Sequence, residues 1–147
     1  MKTCLEWTSR SARETVALGF ELGLRLRGGE LICLSGPLGA GKTTLTQGIA
    51  KGLDIEEVSS PSYILISEFQ GRLPLYHIDA YRLDDEDPQV FETGIDHCLG
   101  QSGVCVIEWA ERLKGWLPAE HLAIHLDHAR NGRLINLRSH GREHEPL

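Results

Sequence analysis

Residues 36–43 of the chain match the phosphate-binding loop motif G-x-x-x-x-G-K-[ST] without interruption. The run 30–35 before the motif has the apolar character of a short strand, and residues 44–51 after it continue as a helix. A strand, a glycine loop and a helix in this order form the unit in which successive backbone N–H groups hold phosphate oxygens. Lys42 adds a mobile positive charge for the outer phosphates, and the Thr43 hydroxyl is placed to bind Mg²⁺. The motif therefore predicts a nucleoside triphosphate site.

Length, charge and cysteine usage narrow the class of protein. With 147 residues the chain is long enough for one domain with a proper core. A formal net charge of −6 argues against a dedicated nucleic-acid surface, although a partner protein could supply one. The four cysteines show no C-x-x-C pairing, which fits a reducing compartment. Because residues 1–6 hold no apolar leader and no apolar run approaches about 18 residues, we expect a soluble, cytoplasmic protein.

Hydrophobic patterns and turn signals predict a single α/β domain. Ser11 and Glu14 have the spacing of a helix-capping box, and Asn131-Gly132 is typical of a hairpin turn. The predicted elements are a helix from Ser9 to Gly28-Gly29, the P-loop strand and its helix ending near Gly52, a hairpin of 63–69 and 73–79, a short helix from Asp87-Pro88, a strand at 103–108, and a hairpin of 122–126 and 133–138. Together they predict a P-loop NTPase fold over residues 1–139, with a mixed parallel and antiparallel central sheet flanked by helices. Residues 140–147 are polar, and we expect a disordered tail.

Two carboxylates at predicted strand ends are candidates for chemistry at the phosphates. Glu108 ends an apolar strand, where P-loop proteins place an acidic Mg²⁺ ligand, but the position also suits an ordinary solvated carboxylate. Asp79 ends a second strand and could orient an attacking water, or only cap the turn into Tyr81. The pattern favours one metal ligand and one residue that acts on water.

Other polar and aromatic residues have open assignments. The segment 59–63 follows the P-loop helix, where a hydroxyl could sense the γ-phosphate or simply belong to a loop. Trp109 either stacks near the site or fills the core. His121, His125 and His128 invite a zinc hypothesis, but on one strand the third points away from the first two, which favours scattered histidines.

Several further motifs follow the P-loop in a specific order. They are Ser-Pro-Ser-Tyr at 60–63, His-Ile-Asp-Ala-Tyr-Arg-Leu at 77–83, Gly-Ile at 94–95 and Ile-Glu-Trp at 107–109. In this order and spacing, residues 7–138 resemble the TsaE (YjeE) family, the small bacterial ATPases of tRNA threonylcarbamoyladenosine synthesis. The P-loop alone is common to many families, whereas the combination of His-x-Asp-x-Tyr-Arg and Ile-Glu-Trp is much more specific.

The resemblance implies a set of site residues. In the family, the P-loop threonine and the glutamate of the Glu-Trp pair hold Mg²⁺, and the aspartate of His-x-Asp-x-Tyr-Arg is required for the ATPase cycle. The nucleotide base lies between the start of the first helix and the last hairpin. The family's Ser-Pro-Thr reads Ser-Pro-Ser here, so Ser62 keeps the hydroxyl but loses a methyl group. With the P-loop motif, the assigned residues are Thr8, Ala12, Leu38, Gly39, Ala40, Gly41, Lys42, Thr43, Thr44, Ser62 and Arg133 for ATP, Thr43 and Glu108 for Mg²⁺, and Lys42 and Asp79 for catalysis.

The resemblance also implies work as an accessory factor. Proteins of the family bind a TsaD–TsaB complex, and their ATP hydrolysis supports repeated threonylcarbamoyl transfer to the adenosine beside the anticodon in tRNAs that read ANN codons. Slow hydrolysis alone and faster hydrolysis in the complex is the implied behaviour. Contact with tRNA is then only indirect, through the partners.

Three other functions share a P-loop. A small-molecule or nucleoside kinase is the runner-up, but the short region before Glu108 is acidic at 84–87 and holds no lid-like arginine cluster. A regulatory GTPase would need a guanine-reading Asn-Lys-x-Asp motif, which does not occur in the sequence. A nucleotide-dependent binding module with negligible turnover stays open as an alternative from another class.

Overall fold

The central sheet has seven strands, and two helices pack against one of its faces in the described parts of the chain. A computed structural model describes residues 4–56, 66–80, 102–113 and 117–140. The elements in chain order are β1 (Cys4–Ser9), α1 (Ala12–Arg25), β2 (Leu31–Ser35), α2 (Lys42–Gly52), β3 (Ile66–Phe69), β4 (Leu75–Asp79), β5 (Val104–Glu108), a 3₁₀ turn (Ala110–Leu113), β6 (His121–Ala129) and β7 (Gly132–His140). No helix among these residues is long and apolar enough to cross a membrane.

The sheet is mixed, as the sequence predicts. Its strand order is β1-β7-β6-β2-β5-β4-β3. β2 lies parallel to β5 and β6, and β4 lies parallel to β5, whereas β1 with β7, β6 with β7 and β3 with β4 form antiparallel pairs. Because β2, β5 and β4 run side by side in one direction, their carboxyl ends meet at one edge, where ligands bind in open α/β sheets. Ser35, Glu108 and Asp79 end these three strands.

Apolar runs account for the central strands. All five residues of β5 are buried, as expected for a strand covered on both faces. One core cluster joins the sheet to both helices and includes Leu34 and Leu45. A second cluster on the opposite face includes Cys33 and Ile107. Since Cys33 and Leu34 are neighbours in β2, the two clusters follow directly from the alternation of side chains along a strand.

Helix α1 begins at the predicted capping residue. The Ser11 side chain accepts a hydrogen bond from the Glu14 backbone N–H at 3.1 Å, and Ser11 is the N-cap. The Glu14 carboxylate accepts the Arg10 N–H at 2.9 Å, one residue earlier than a standard capping box. These bonds satisfy backbone donors that the first helical turn leaves without a partner.

Helices α1 and α2 approach each other backbone to backbone. The closest positions are glycines on both helices, namely Gly19, Gly23, Gly48 and Gly52. A Cβ on Gly48 would lie 2.3 Å from the Val16 carbonyl oxygen, and one on Gly23 would lie 2.3 Å from the Ile49 carbonyl oxygen. Only glycine therefore fits without moving a helix. Because α2 directly follows the phosphate loop, this contact also fixes the start of α1 relative to that loop.

The structure adds one strand that the sequence pattern did not predict. β1 occupies Cys4–Ser9 and pairs antiparallel with β7, whereas the sequence pattern predicts a helix that begins at Ser9. Five of its six residues are exposed, so the strand is defined by its long-range partner more than by its own apolar pattern. The last hairpin is also longer than predicted, and β7 ends at His140, one residue beyond the predicted domain boundary.

The predicted hairpin around Gly71 is present as the antiparallel pair β3–β4. Several predictions concern residues outside the described ranges, and they stay predictions. They are the segment 59–65 with Ser62, the helix from Asp87-Pro88, the motif residues 81–83 and 94–95, Cys98, and the tail from 141 to 147.

Candidate nucleotide site

The phosphate loop joins β2 to α2 through a backbone that requires glycine. Gly36, Gly39 and Gly41 have φ values of +132°, +77° and +108°, a region that side chains rarely adopt. A Cβ on Gly36 would also lie 2.0 Å from the Leu126 carbonyl oxygen. Gly41 is the N-cap of α2 and makes no side-chain cap, and the first turn of α2 holds no acidic residue. The positive dipole end of α2 therefore meets the phosphate loop without a capping side chain or an acidic residue of its own.

Lys42 is held within its own loop. Its side chain is buried, and Nζ donates to the carbonyl oxygens of Gly36 at 2.5 Å and Pro37 at 3.0 Å. The same ammonium lies 3.7 Å from the centroid of the Trp109 ring, at cation–π distance. Burial lowers the pKa of Lys42, and the carboxylates at the strand ends and on the 3₁₀ turn oppose that shift. The Lys42 ammonium thus lies beside the loop carbonyls, within the segment that would surround a bound phosphate.

The predicted metal ligands touch each other. Thr43 Oγ1 donates to Glu108 Oε1 at 2.9 Å, and Glu108 is 4% exposed. Asp79 pairs in register with Glu108 across β4 and β5, and the Ala80 N–H donates to the Glu108 carbonyl at 3.0 Å. A hydroxyl and carboxylates are the hard oxygen donors that Mg²⁺ prefers. The donor set therefore fits Mg²⁺. Because Glu108 is buried, it is not the solvated strand-end carboxylate that the sequence left as an alternative.

His77 and Glu111 also belong to the site, although the sequence assigned neither of them a role there. His77 is fully buried, and its Nε2 lies 2.5 Å from Glu108 Oε2. The signal for it was its place two residues before Asp79, which puts both on one face of a strand. Glu111 accepts the Gly36 N–H through Oε2 at 3.2 Å. No sequence signal pointed to Glu111, because its role depends on how the 3₁₀ turn returns to the loop.

A cavity of about 260 Å³ opens beside the phosphate loop. Its lining residues are Ser9, Arg10, Ser11, Ala12, Thr15, Gly39, Gly41, Thr44, Gly132 and Arg133. The start of α1 and the last hairpin turn thus meet at the loop, as the resemblance implies for the nucleotide base. Ser9 Oγ and Thr15 Oγ1 are 2.6 Å apart and buried, which ties the end of β1 to the first turn of α1.

The remaining assigned residues have different surroundings. Thr8 is exposed in β1 opposite Leu134 and does not line the cavity. Leu38 is 79% exposed at the loop tip, and its carbonyl accepts from His128 Nε2 at 3.2 Å. Ala40 is fully buried beneath the loop. The structure therefore brings Ala12, Gly39, Gly41, Thr44 and Arg133 together at the cavity, and leaves Thr8 outside it.

Trp109 combines the two roles that the sequence left open. It packs against the second core cluster, and one face of its ring contacts Lys42. Its backbone has φ +62°, which is uncommon for a bulky residue. This turn directs the chain from the end of β5 toward the 3₁₀ turn, and so carries the ring under the phosphate loop.

The histidines of β6 have separate contacts. His125 Nδ1 lies 2.8 Å from Ser35 Oγ, and the His121 ring stacks on His140 with centroids 4.6 Å apart. His128 contacts the loop tip instead. Within the described ranges, no group of three His, Cys, Asp or Glu side chains is arranged to hold a metal ion.

Comparison with known proteins identifies the family. The family model of the threonylcarbamoyl adenosine biosynthesis protein TsaE matches residues 9–135. The chain is 44% identical over 119 residues to the tRNA threonylcarbamoyladenosine biosynthesis protein TsaE of Treponema pallidum (strain Nichols), covering 80% of this chain and 87% of that protein. It is 38% identical over 146 residues to the TsaE protein of Bacillus subtilis (strain 168), covering 97% and 90% of the two chains.

A solved structure agrees with this result. The crystal structure of Bacillus subtilis YdiB superposes with a TM-score of 0.81 at 35% identity, covering 96% of this chain and 88% of that chain. The α/β fold with its mixed sheet is thereby confirmed, as is the resemblance seen in the motifs. The chain belongs to the TsaE family of tRNA threonylcarbamoyladenosine biosynthesis proteins.

Proposed function

We propose that the protein is a Mg²⁺-dependent ATPase that acts with TsaD and TsaB in threonylcarbamoyl modification of the adenosine next to the anticodon in tRNAs reading ANN codons. The observation that carries the proposal is the contact of Thr43 Oγ1 with Glu108 Oε1, 2.9 Å apart at the foot of the phosphate loop. Asp79 brings a second carboxylate to the neighbouring strand end, in register with Glu108. P-loop enzymes hold Mg²⁺ between the hydroxyl of the P-loop and a strand-end carboxylate.

The start of α2 supports the binding of phosphates. Its first turn carries no acidic residue of its own, and the positive end of the helix dipole there favours an incoming anion. The positive φ values of Gly39 and Gly41 turn the loop backbone around the space in front of this helix. Thr44 lies beside the same space, among the residues lining the cavity.

Lys42 supports recognition of the outer phosphates. Its ammonium is already buried at the loop, where two carbonyl oxygens and the Trp109 ring hold it. A phosphate oxygen carries negative charge, so it forms a stronger, charge-assisted hydrogen bond with Lys42 than a neutral carbonyl oxygen does. Exchange of the loop carbonyls for β- and γ-phosphate oxygens is the step that we assign to Lys42.

The cavity between α1 and the last hairpin is the proposed site of the adenine base. Ala12 and Gly132 offer small surfaces, and Arg133 supplies a cationic side chain at the rim. Apolar and backbone surfaces suit a flat base, with a few polar groups to fix its orientation. Ser62, which lies outside the described residues, keeps its predicted role near the γ-phosphate as part of the proposal.

The strand-end carboxylates divide the remaining work. Mg²⁺, when bound, neutralises charge on the β- and γ-phosphates. Thr43 and Glu108 are the residues that would hold it. Asp79 is close enough to act electrostatically on Lys42, and we assign to its carboxylate the orientation of the attacking water.

Family membership and charge support the proposed partners. Relatives of the chain are named as tRNA threonylcarbamoyladenosine biosynthesis proteins. With a net charge of −6, the chain is poorly suited to hold tRNA itself, so we assign that task to TsaD and TsaB. The proposal includes a cytoplasmic location, the compartment that holds tRNA.

Phosphate release tests the proposal. The purified protein is incubated with ATP and Mg²⁺, with and without TsaD and TsaB of the same organism. We expect slow hydrolysis alone and faster hydrolysis with both partners. Hydrolysis should disappear in Glu108→Ala and persist in the matched control Glu68→Ala, since Glu68 is an exposed glutamate on β3.

Two outcomes would contradict the proposal. ATP consumption that requires an added nucleoside or sugar would assign the chain to the kinases. ATP binding without hydrolysis in any combination of partners would leave a nucleotide-dependent binding module.

A further inference from the structure

A fully buried histidine contacts the candidate metal ligand. His77 occupies the middle of β4, a strand whose first four residues are all buried. It pairs in register with Val106, two residues before Glu108, and lies two residues before Asp79. The His77 and Glu108 side chains are therefore diagonal neighbours on one face of the sheet.

The two carboxylate oxygens of Glu108 have different partners. Oε1 accepts the Thr43 hydroxyl at 2.9 Å, whereas Oε2 lies 2.5 Å from His77 Nε2. Both ends of the second contact are removed from solvent, with side-chain exposures of 0% for His77 and 5% for Glu108. The histidine thus occupies one oxygen and leaves the other directed at the phosphate loop.

The other ring nitrogen of His77 identifies the tautomer. Nδ1 is buried and has no hydrogen-bond partner in the part of the chain that the structure describes. A proton on Nδ1 would be a buried donor without an acceptor, which is unfavourable. A carboxylate oxygen accepts only, so the contact with Glu108 requires the proton on Nε2. Both arguments place a proton of His77 on Nε2.

Core packing alone does not account for this histidine. An apolar side chain of similar size would fill the same place in β4 without leaving a buried nitrogen unpaired. The contact that distinguishes His77 from such a side chain is the one to Glu108. The residue is therefore explained by what it does to that carboxylate.

We propose that His77 is a positioning residue for the metal site. Its Nε2–H holds Oε2 of Glu108, so that the carboxylate cannot rotate and Oε1 stays beside the Thr43 hydroxyl. Partners in the second coordination layer orient metal ligands in this way. The inference rests on the proposed function, because it requires Mg²⁺ to bind with the nucleotide. His77 lies outside the P-loop motif and adds a separate determinant of metal affinity.

Three substitutions separate positioning from packing. In His77→Gln the side-chain amide nitrogen can occupy the place of Nε2, whereas in His77→Asn it reaches only as far as Nδ1. His77→Phe keeps a ring and removes the donor. Calorimetry would follow binding of a non-hydrolysable ATP analogue while Mg²⁺ is titrated, and again in EDTA.

The expected result is a change in metal dependence. The Mg²⁺ concentration for half-maximal effect should rise about 10- to 100-fold in the Phe and Asn variants. It should return toward the wild-type value in the Gln variant. Affinity for the analogue in EDTA should stay unchanged, since His77 lies outside the nucleotide cavity.

Folded Phe and Asn variants with wild-type Mg²⁺ dependence would overturn the inference. If the wild-type protein binds the analogue with no Mg²⁺ dependence, the proposed function itself fails, which is a distinct result.

Long-range ¹H–¹⁵N NMR of the metal-free wild-type protein gives a second measurement that needs no variant. We expect a protonated Nε2 and an unprotonated Nδ1 on His77, and the reverse assignment would refute the positioning contact directly.

Discussion

The close contact between α1 and α2 makes a strong prediction for Gly48→Ala. Helix propensity alone predicts that this substitution stabilises α2, by about 1 kcal/mol. In the structure, however, the new Cβ would lie 2.3 Å from the Val16 carbonyl oxygen and 3.0 Å from Gly19 Cα. Ordinary carbon contacts begin near about 3.5 Å. The helices must therefore separate by roughly 1 Å to accept one methyl group.

The magnitude follows from what cannot move. The atoms nearest to the new Cβ are all backbone, so no side chain can rotate away. Overpacking of this kind costs about 1–3 kcal/mol, and the rigid surroundings place Gly48 at or above the upper end. After subtracting the gain in propensity, we expect the free energy of unfolding to fall by about 2 kcal/mol.

Urea unfolding at 25 °C measures this change by linear extrapolation. Gln47→Ala is the matched control, because Gln47 is the exposed neighbour on the same helix, and it should change stability by less than about 0.5 kcal/mol. Gly23→Ala, whose Cβ would meet the Ile49 carbonyl oxygen at 2.3 Å, should behave like Gly48→Ala. The double variant should lose less than the sum, since one separation of the helices relieves both clashes. A Gly48→Ala protein as stable as the wild type or more so would refute the reasoning.

Three further predictions concern the cavity, the helix cap and the cysteines. In Gly132→Ala, the new Cβ would lie 2.0 Å from the Ser9 carbonyl oxygen at the end of β1. Calorimetry should therefore show ATP affinity reduced by a factor of about ten or more, which corresponds to about 1.4 kcal/mol. Gly29→Ala, which shares a positive φ but has open space around it, should leave affinity nearly unchanged. Ser11→Ala should lower the free energy of unfolding by about 1 kcal/mol in urea, through loss of the α1 cap. Burial raises the pKa of Cys33 to about 12, so at pH 8 only about one molecule in 10⁴ carries the reactive thiolate. Mass spectrometry after brief alkylation should therefore find Cys33 unmodified, while the exposed Cys4 reacts. Equal labelling of the two cysteines would contradict the assignment.

Local chemistry explains which parts of the fold could be predicted. The phosphate loop, the Ser11 cap and the Asn131-Gly132 turn each depend on a few neighbouring residues, and each is present where the sequence predicts it. The buried run of β5 and its final Glu108 follow from an unbroken apolar segment. Such signals survive because no distant partner is needed to create them.

Long-range pairing explains what could not be predicted. β1 forms an edge strand only because β7 offers it a partner about 130 residues away, as in the register of Cys4 with Arg138. The contact of His77 with Glu108 depends on the side-by-side order of β4 and β5, which no local pattern specifies. Thr8, which the family pattern assigned to the base, is not among the residues that line the cavity, although its neighbour Ser9 is.

The resting position of Lys42 has a consequence for which nucleotides the loop can distinguish. Two carbonyl oxygens of the loop accept hydrogen bonds from the ammonium, so we expect a nucleotide that binds Lys42 to replace both. ATP and ADP carry phosphate oxygens beyond the first phosphorus, whereas AMP carries none there. Under the proposed function, we therefore expect Lys42 to distinguish nucleotides by their number of phosphates more than by the identity of the base.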